Sequence, residues 1–154
     1  MDRQAGMWMN LRKILARELI DVDLPGGSKP EVIEALVDLV VRSGRVSDRQ
    51  AAIDAVMERE SKMSTGIQSG IAIPHGRCDA VDDLLACMGI SRNGVDFGSL
   101  DGEPSRIFIM TLSPSNRTVP GIQFLAEISK ILRKEENRRR ILSASGPDEI
   151  LKLL

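Results

Sequence analysis

At 154 residues, 42% of them apolar and 28% charged, the chain has the size and composition of one globular domain that folds without a disulfide framework or a structural metal. Its net charge of -1 lacks the basic excess of a general nucleic-acid binder and offers nothing to attract an anionic membrane surface. The two cysteines, Cys78 and Cys87, and the single histidine form neither a disulfide framework nor a zinc site, so neither metal nor cofactor is expected.

Residues 1–8 read as a flexible N-terminal tail and residues 9–154 as one domain. The first ten residues lack the apolar core of a signal peptide, and the longest apolar stretch, residues 84–90, is too short to span a bilayer. The two thiols read as reduced and half-buried, which places the chain in a reducing, cytoplasmic compartment without membrane insertion.

In chain order, residues 11–19 predict a short helix and residues 19–24 a strand, ended by Pro25-Gly26-Gly27. Ser28-Lys29-Pro30-Glu31 has the form of a capping box with proline in the first turn, and Val32, Ile33, Leu36, Val37 and Val40 follow at helical spacing. Ser47-Asp48-Arg49-Gln50 predicts a second capped helix fading near Glu60. A polar, glycine-rich loop, residues 64–70, leads into the short buried strand Ile71-Ala72-Ile73, which runs straight into Pro74-His75-Gly76. Residues 84–91 predict a strand, Asn93-Gly94 a tight hairpin turn and residues 95–97 the returning partner. Residues 106–112 predict another strand. The last third is helical, with Ile122, Leu125, Ile128 and Leu132 as its apolar face. Helices before and after a strand cluster imply an α/β three-layer sandwich: a mixed central β-sheet with helices on both faces.

His75 is the one histidine and the centre of the chemistry. Proline before it fixes the local backbone, and Gly76 after it removes bulk, leaving room for a partner to approach the ring. Imidazole titrates at about 6.5, so much of it is a neutral nucleophile at cellular pH, suited to covalent phosphoryl transfer. The phosphoryl oxygens would need cationic and N–H or O–H donors around them. Arg59 offers a forked guanidinium, and the hydroxyls of Ser64 and Thr65 with the N–H groups near Gly66 offer further donors. On spacing alone, a surface-turn His75 and an Arg59 on a solvated helix end remain open readings. A serine hydrolase lacks its Gly-x-Ser-x-Gly elbow, and no Walker-type loop exists for direct nucleotide use. A Cys78–His75 nucleophile is disfavoured by its short sequence spacing.

Ser64-Thr65-Gly66-Ile67 followed by Gly70-Ile71-Ala72-Ile73-Pro74-His75-Gly76 resembles the active-site signature of enzyme IIA of the fructose/mannitol type, from the bacterial phosphoenolpyruvate-dependent sugar phosphotransferase system. Gly94-Val95-Asp96-Phe97 and Leu100-Asp101-Gly102 extend the likeness, which covers residues 9–154. The resemblance implies a phosphotransferase that forms a phosphohistidine at His75. Its donor would be a histidine phosphocarrier of the HPr type, and its downstream partner a regulatory target or a transporter component. It also implies a phosphate-contacting role for Arg59, in the pair Arg59-Glu60. One departure stands out: Gly121 occupies the place of a second histidine that the family usually carries. No fused transporter or carrier domain is expected, and the signature is most like the nitrogen-regulatory branch, in which phosphorylation sets protein binding. A sugar-specific enzyme IIA feeding a separate permease and a phosphorylation-independent binding module are the alternatives.

Overall fold

The computed structural model describes residues 10–154. The tail expected at residues 1–8, and Met9 with it, lies outside the described residues. The elements are α1 (Leu11–Ile14), a 3-10 turn (Arg17–Leu19), β1 (Ile20–Asp21), α2 (Lys29–Val41), α3 (Arg49–Lys62), β2 (Ile71–Ala72), β3 (His75–Arg77), β4 (Leu85–Val95), β5 (Ser105–Ser113), α4 (Val119–Leu132), α5 (Glu135–Ser143) and α6 (Pro147–Leu151). Among the described residues, no helix is long and apolar enough to cross a membrane.

The sheet is mixed and has five strands. β1 lies parallel to β4, β4 antiparallel to β5, and β2 and β3 follow one another parallel to the other side of β5. Ile73-Pro74 interrupts the β2–β3 edge, because proline has no N–H to give the ladder.

Side chains alternate across the two central strands. Cys87 on β4 and Phe108, Met110 and Leu112 on β5 join Val32, Ile33, Leu36, Val37 and Val40 of α2 and Ala52 and Val56 of α3 in one buried core. Ala86, Met88 and Ile90 on β4 and Ile107 and Ile109 on β5 join Phe124, Ile128 and Leu132 of α4, Ile141 of α5 and Ile150 of α6 in the other. Burial on both faces explains why residues 106–112 read as a near-continuous apolar run rather than an alternating one. The expected mixed sheet between two helical layers is the observed architecture.

Several local expectations are corrected. The helix foreseen over residues 11–19 is split: Asn10 caps α1, its side chain accepting from the Lys13 N–H at 3.2 Å, and the chain leaves helical geometry at Leu15 and Ala16. The cap of α3 is Asp48, which accepts from the Ala51 N–H at 3.0 Å, whereas Ser47 bonds the Ala80 carbonyl. Asn93-Gly94 does not turn the chain. β4 runs through it, and the pairing steps from Ile90↔Ile107 to Val95↔Ser105, five residues against two. The extra residues form a bulge in which Gly94 adopts φ +81° beside Pro104. The long, doubly buried β5 outcompetes residues 95–97 as the partner of β4, and the reversal moves to residues 96–104. On α4 the buried face is Gly121, Phe124, Ile128 and Leu132, while Ile122 is 64% exposed. Cys78 and Cys87 are free and buried rather than half-buried, and burial pushes the Cys87 thiol well above its ordinary pKa.

Candidate active site

The edge strand β3 carries His75 into a cleft of about 900 Å³ that wraps around the rim of the sheet. One wall is α3, with Ala51, Asp54, Ala55, Glu58, Arg59 and Lys62. The floor is His75, Gly76 and Arg77 of β3 with Thr111 and Ser113 of β5, and the far wall is the start of α4 with Thr118, Gly121, Ile122 and Leu125. His75 therefore opens β3 at the sheet edge instead of sitting in a turn, and Arg77 lies two residues on, on the same strand face.

Gly76 brings α3 to the histidine. A Cβ at this position would stand 3.0 Å from the backbone of Ala55 and Val56. The space that the sequence suggested for an approaching partner is filled by α3 itself. That close packing sets Arg59, one turn further along α3, at the cleft.

The ring of His75 is held by its own strand. Nδ1 lies 2.9 Å from the Ile73 carbonyl oxygen. A carbonyl only accepts, so Nδ1 carries the proton and donates it, and the neutral ring keeps its lone pair on Nε2. Nε2 has no hydrogen-bond partner among the described residues, and the half-buried ring lines the cleft.

A chain of contacts runs from that carbonyl to a buried carboxylate. The Ile73 N–H donates to the Thr65 carbonyl at 3.0 Å. Thr65 is itself pinned by Glu60: its N–H reaches Oε2 at 2.9 Å and its hydroxyl reaches Oε1 at 2.6 Å. Glu60 is 6% exposed and also takes a 2.8 Å bond from Lys29 Nζ. Lys29 in turn sits 4.7 Å from the centre of the Phe97 ring. In Arg59-Glu60, neighbouring residues on α3 thus face different tasks: one lines the cleft, and the other anchors the loop behind the histidine.

The structure brings Arg59 and His75 together but gives the loop residues other partners. Arg59 Nη1 donates to the Met63 carbonyl at 2.8 Å and makes no ion pair among the described residues, which leaves its other N–H groups to the cleft. Ser64 donates its hydroxyl to the Phe97 carbonyl, and the Gly66 N–H donates to Ser64 Oγ at 3.0 Å. Thr65 and Gly66 are buried, and a Cβ on Gly66 would meet Ser99 Oγ at 2.5 Å. Ser64, Thr65 and Gly66 do not line the cleft. Sequence reasoning passed over Arg77, Thr111 and Ser113. The available signal was the two-residue period from His75 to Arg77, and the polar residues at alternate positions near the end of an otherwise apolar strand.

Fold and cleft together define a mixed α/β domain that presents one histidine, its Nε2 unpartnered, at a sheet edge beside an arginine. Residues 13–154 match the family described as phosphoenolpyruvate-dependent sugar phosphotransferase system, EIIA 2, and the chain belongs to that family: it is a phosphotransferase-system EIIA domain. It is 36% identical over 145 residues to the fructose-specific EIIA component of Haloferax volcanii, with 94% of each chain covered. It is 31% identical over 146 residues to the nitrogen regulatory protein of Pseudomonas aeruginosa, covering 95% of each. Among solved structures it resembles the nitrogen regulatory protein IIA-Ntr of Neisseria meningitidis, with a TM-score of 0.86 and 26% identity over 94% of this chain and 99% of that one. It also resembles the mannitol IIA of Escherichia coli, with a TM-score of 0.78 and 25% identity over 90% and 97% of the two chains.

Proposed function

We propose that His75 accepts a phosphoryl group from a histidine phosphocarrier of the HPr type, and that the domain, residues 9–154, works as a nitrogen-regulatory-type phospho-switch. The observation that carries this reading is the tautomer: Nδ1–H is committed to the Ile73 carbonyl, and Nε2 lies free in a cleft lined by Arg59. In the transfer, the Nε2 lone pair attacks phosphorus and forms a new N–P bond. The N–P bond to the carrier breaks, and its electron pair returns to the carrier imidazole. Phosphorylation leaves both nitrogens of His75 substituted and the ring formally positive. The Ile73 carbonyl stabilises that charge through Nδ1–H. Arg59 and Arg77 supply positive charge to the phosphoryl oxygens. Ser64, Thr65 and Gly66 serve by holding the loop that holds Ile73.

Val119 and Ile122 are exposed apolar residues on the α4 side of the cleft, 59% and 64% accessible, a surface suited to a docking protein. The switch reading is favoured by Gly121, which leaves no second imidazole on the α4 wall to assist onward transfer. The sugar-relay reading has its own support in the likeness to a fructose-specific EIIA component.

The test is incubation with enzyme I, HPr and phosphoenolpyruvate, followed by intact mass and acid lability. The expected result is one acid-labile phosphoryl group on the native protein and none on His75→Ala with its fold preserved. A native protein that stays unmodified, or a His75→Ala protein that loads normally, would overturn the proposal. The first of those outcomes leaves the phosphorylation-independent binding module.

A further inference from the structure

Ser113 closes β5 and is 7% exposed, yet its hydroxyl has no hydrogen-bond partner among the described residues. Its backbone is fixed, because the carbonyl accepts from the Cys78 N–H at 2.8 Å and the residue is in register with Arg77. Thr111 pairs with His75 in the same register, so Thr111 and Ser113 stand on the face of the sheet that carries His75 and Arg77. Both line the cleft. Strand spacing puts the α-carbons of His75 and Ser113 about 8 Å apart, one diagonal step on a parallel sheet. A phosphorylated imidazole and a serine hydroxyl together reach across that distance.

Gly121 faces the same hydroxyl from the other wall. The position its Cβ would take lies 2.8 Å from Ser113 Oγ, with Leu84 Cδ1 at 3.6 Å. Glycine here leaves the hydroxyl its place; a side chain would displace it. Gly121 is in the first turn of α4, where helix amides lack intrahelical acceptors. Thr118 makes no side-chain cap, and the Gly121 N–H has no acceptor among the described residues. A nine-tenths-buried serine whose hydroxyl has no protein partner among the described residues and a free amide at the start of a fourteen-residue helix therefore converge on the cleft that holds His75. Such a pair suits an anion, because the amide only donates, the hydroxyl can turn to donate beside it, and the helix start carries partial positive charge.

We infer that the Ser113 hydroxyl and the Gly121 N–H bind the oxygens of the phosphoryl group on His75, opposite Arg59. The inference rests on His75 as the acceptor and adds two contacts that are made only when phosphate is present. Ser113 donates its hydroxyl proton to a phosphoryl oxygen without losing it, so the transfer itself is unchanged.

The experiment compares the native protein with Ser113→Ala, Ser113→Thr and Gly121→Ala, loaded from phospho-HPr under rapid quench. A hydrogen bond to a charged group is worth about ten- to a hundredfold in rate. Ser113→Ala should lose about that much in loading rate with its thermal midpoint unchanged, and Ser113→Thr should recover most of it. Gly121→Ala should resemble Ser113→Ala, because its methyl group drives the hydroxyl away. In the native protein, the Gly121 amide resonance should move on phosphorylation in a nitrogen-15 correlation spectrum. Loading of Ser113→Ala at the native rate, equal slowing by Ala and Thr, or an unmoved Gly121 amide would each overturn the inference while leaving His75 as acceptor intact. A native protein that takes no phosphoryl group would overturn both.

Discussion

Glu60→Gln should uncouple the histidine from its anchor. The native carboxylate satisfies three donors: Lys29 Nζ and the Thr65 N–H on Oε2, and the Thr65 hydroxyl on Oε1. The side chain of Glu60 is 3% exposed and that of Lys29 27%. Glutamine keeps one acceptor oxygen and turns the other into a donor. Whichever way the amide points, at least one Thr65 donor or the ammonium meets an NH2 group. Lys29 regains some hydration because it is partly exposed, but a buried Thr65 donor does not. One unsatisfied buried donor and the loss of the Lys29–Glu60 ion pair together cost about 2–4 kcal/mol. Thr65→Val, which removes only the hydroxyl contact and keeps the N–H contact, should cost less, about 1–2 kcal/mol. Urea unfolding followed by far-ultraviolet circular dichroism measures both. The same loss should loosen Thr65, Ile73 and the ring, so phosphoryl loading of His75 should slow in the order native, Thr65→Val, Glu60→Gln. A Glu60→Gln protein within about 1 kcal/mol of native and loading at the native rate would show that Glu60 holds neither loop nor ring.

Arg59→Ala should slow phosphorylation by the equivalent of about 2–3 kcal/mol with little change in unfolding midpoint, and Arg59→Lys should restore only part of the rate because it lacks the forked geometry; an unchanged rate at saturating donor would make Arg59 a surface residue. Gly121→His should speed transfer from phospho-His75 to an acceptor or back to HPr by about 10²-fold if an imidazole on this wall assists the transfer state. Its Cβ must first displace Ser113 Oγ from 2.8 Å, so comparing the double variant Gly121→His/Ser113→Ala with Ser113→Ala alone separates the gain from the loss, and equal rapid-quench rates for those two proteins would remove any role for a second imidazole. Acid should weaken the fold through three carboxylates. Asp101 lies below its ordinary 3.8 because the Glu103 and Ser69 N–H groups donate to it. Glu31 lies below its ordinary 4.5 because Gly27 N–H and the Ser28 hydroxyl donate, and Glu149 does so because of the Ser145 hydroxyl and N–H. Depressed carboxylates contribute stability that is present above their unfolded values and is lost as pH falls through their lower folded values. Thermal midpoints should therefore drop below about pH 4.5, less steeply in Asp101→Asn; a midpoint flat down to the folded values would contradict these bonds.

Local sequence determined the elements whose causes are themselves local. The apolar spacing of residues 32–40 built α2, and Ser28, as its cap, accepts from the Glu31 N–H. The doubly buried run at residues 106–112 built the central strand. His75 was legible as the candidate phosphoryl acceptor because it is the only imidazole and follows a proline at the end of a buried strand. What sequence left open depended on partners far along the chain. Asn93-Gly94 carries a strong turn signal, but β5 offered β4 a longer buried pairing, so the turn became a bulge. Ser64 and Thr65 look like free donors beside a glycine, yet Phe97 and Glu60 claim their hydroxyls from 33 and 5 residues away. Gly76 looked like room for a partner, and only α3 packing showed what fills it. Ser113 gave only a faint local sign, a polar residue two positions after Thr111 at the end of an apolar strand: its hydroxyl acquires meaning because β5 lies beside β3 and the start of α4 closes over both. Side-chain chemistry and short-range periodicity are written in the chain, whereas the assignment of each donor to an acceptor is made only when the sheet edge, α3 and α4 meet.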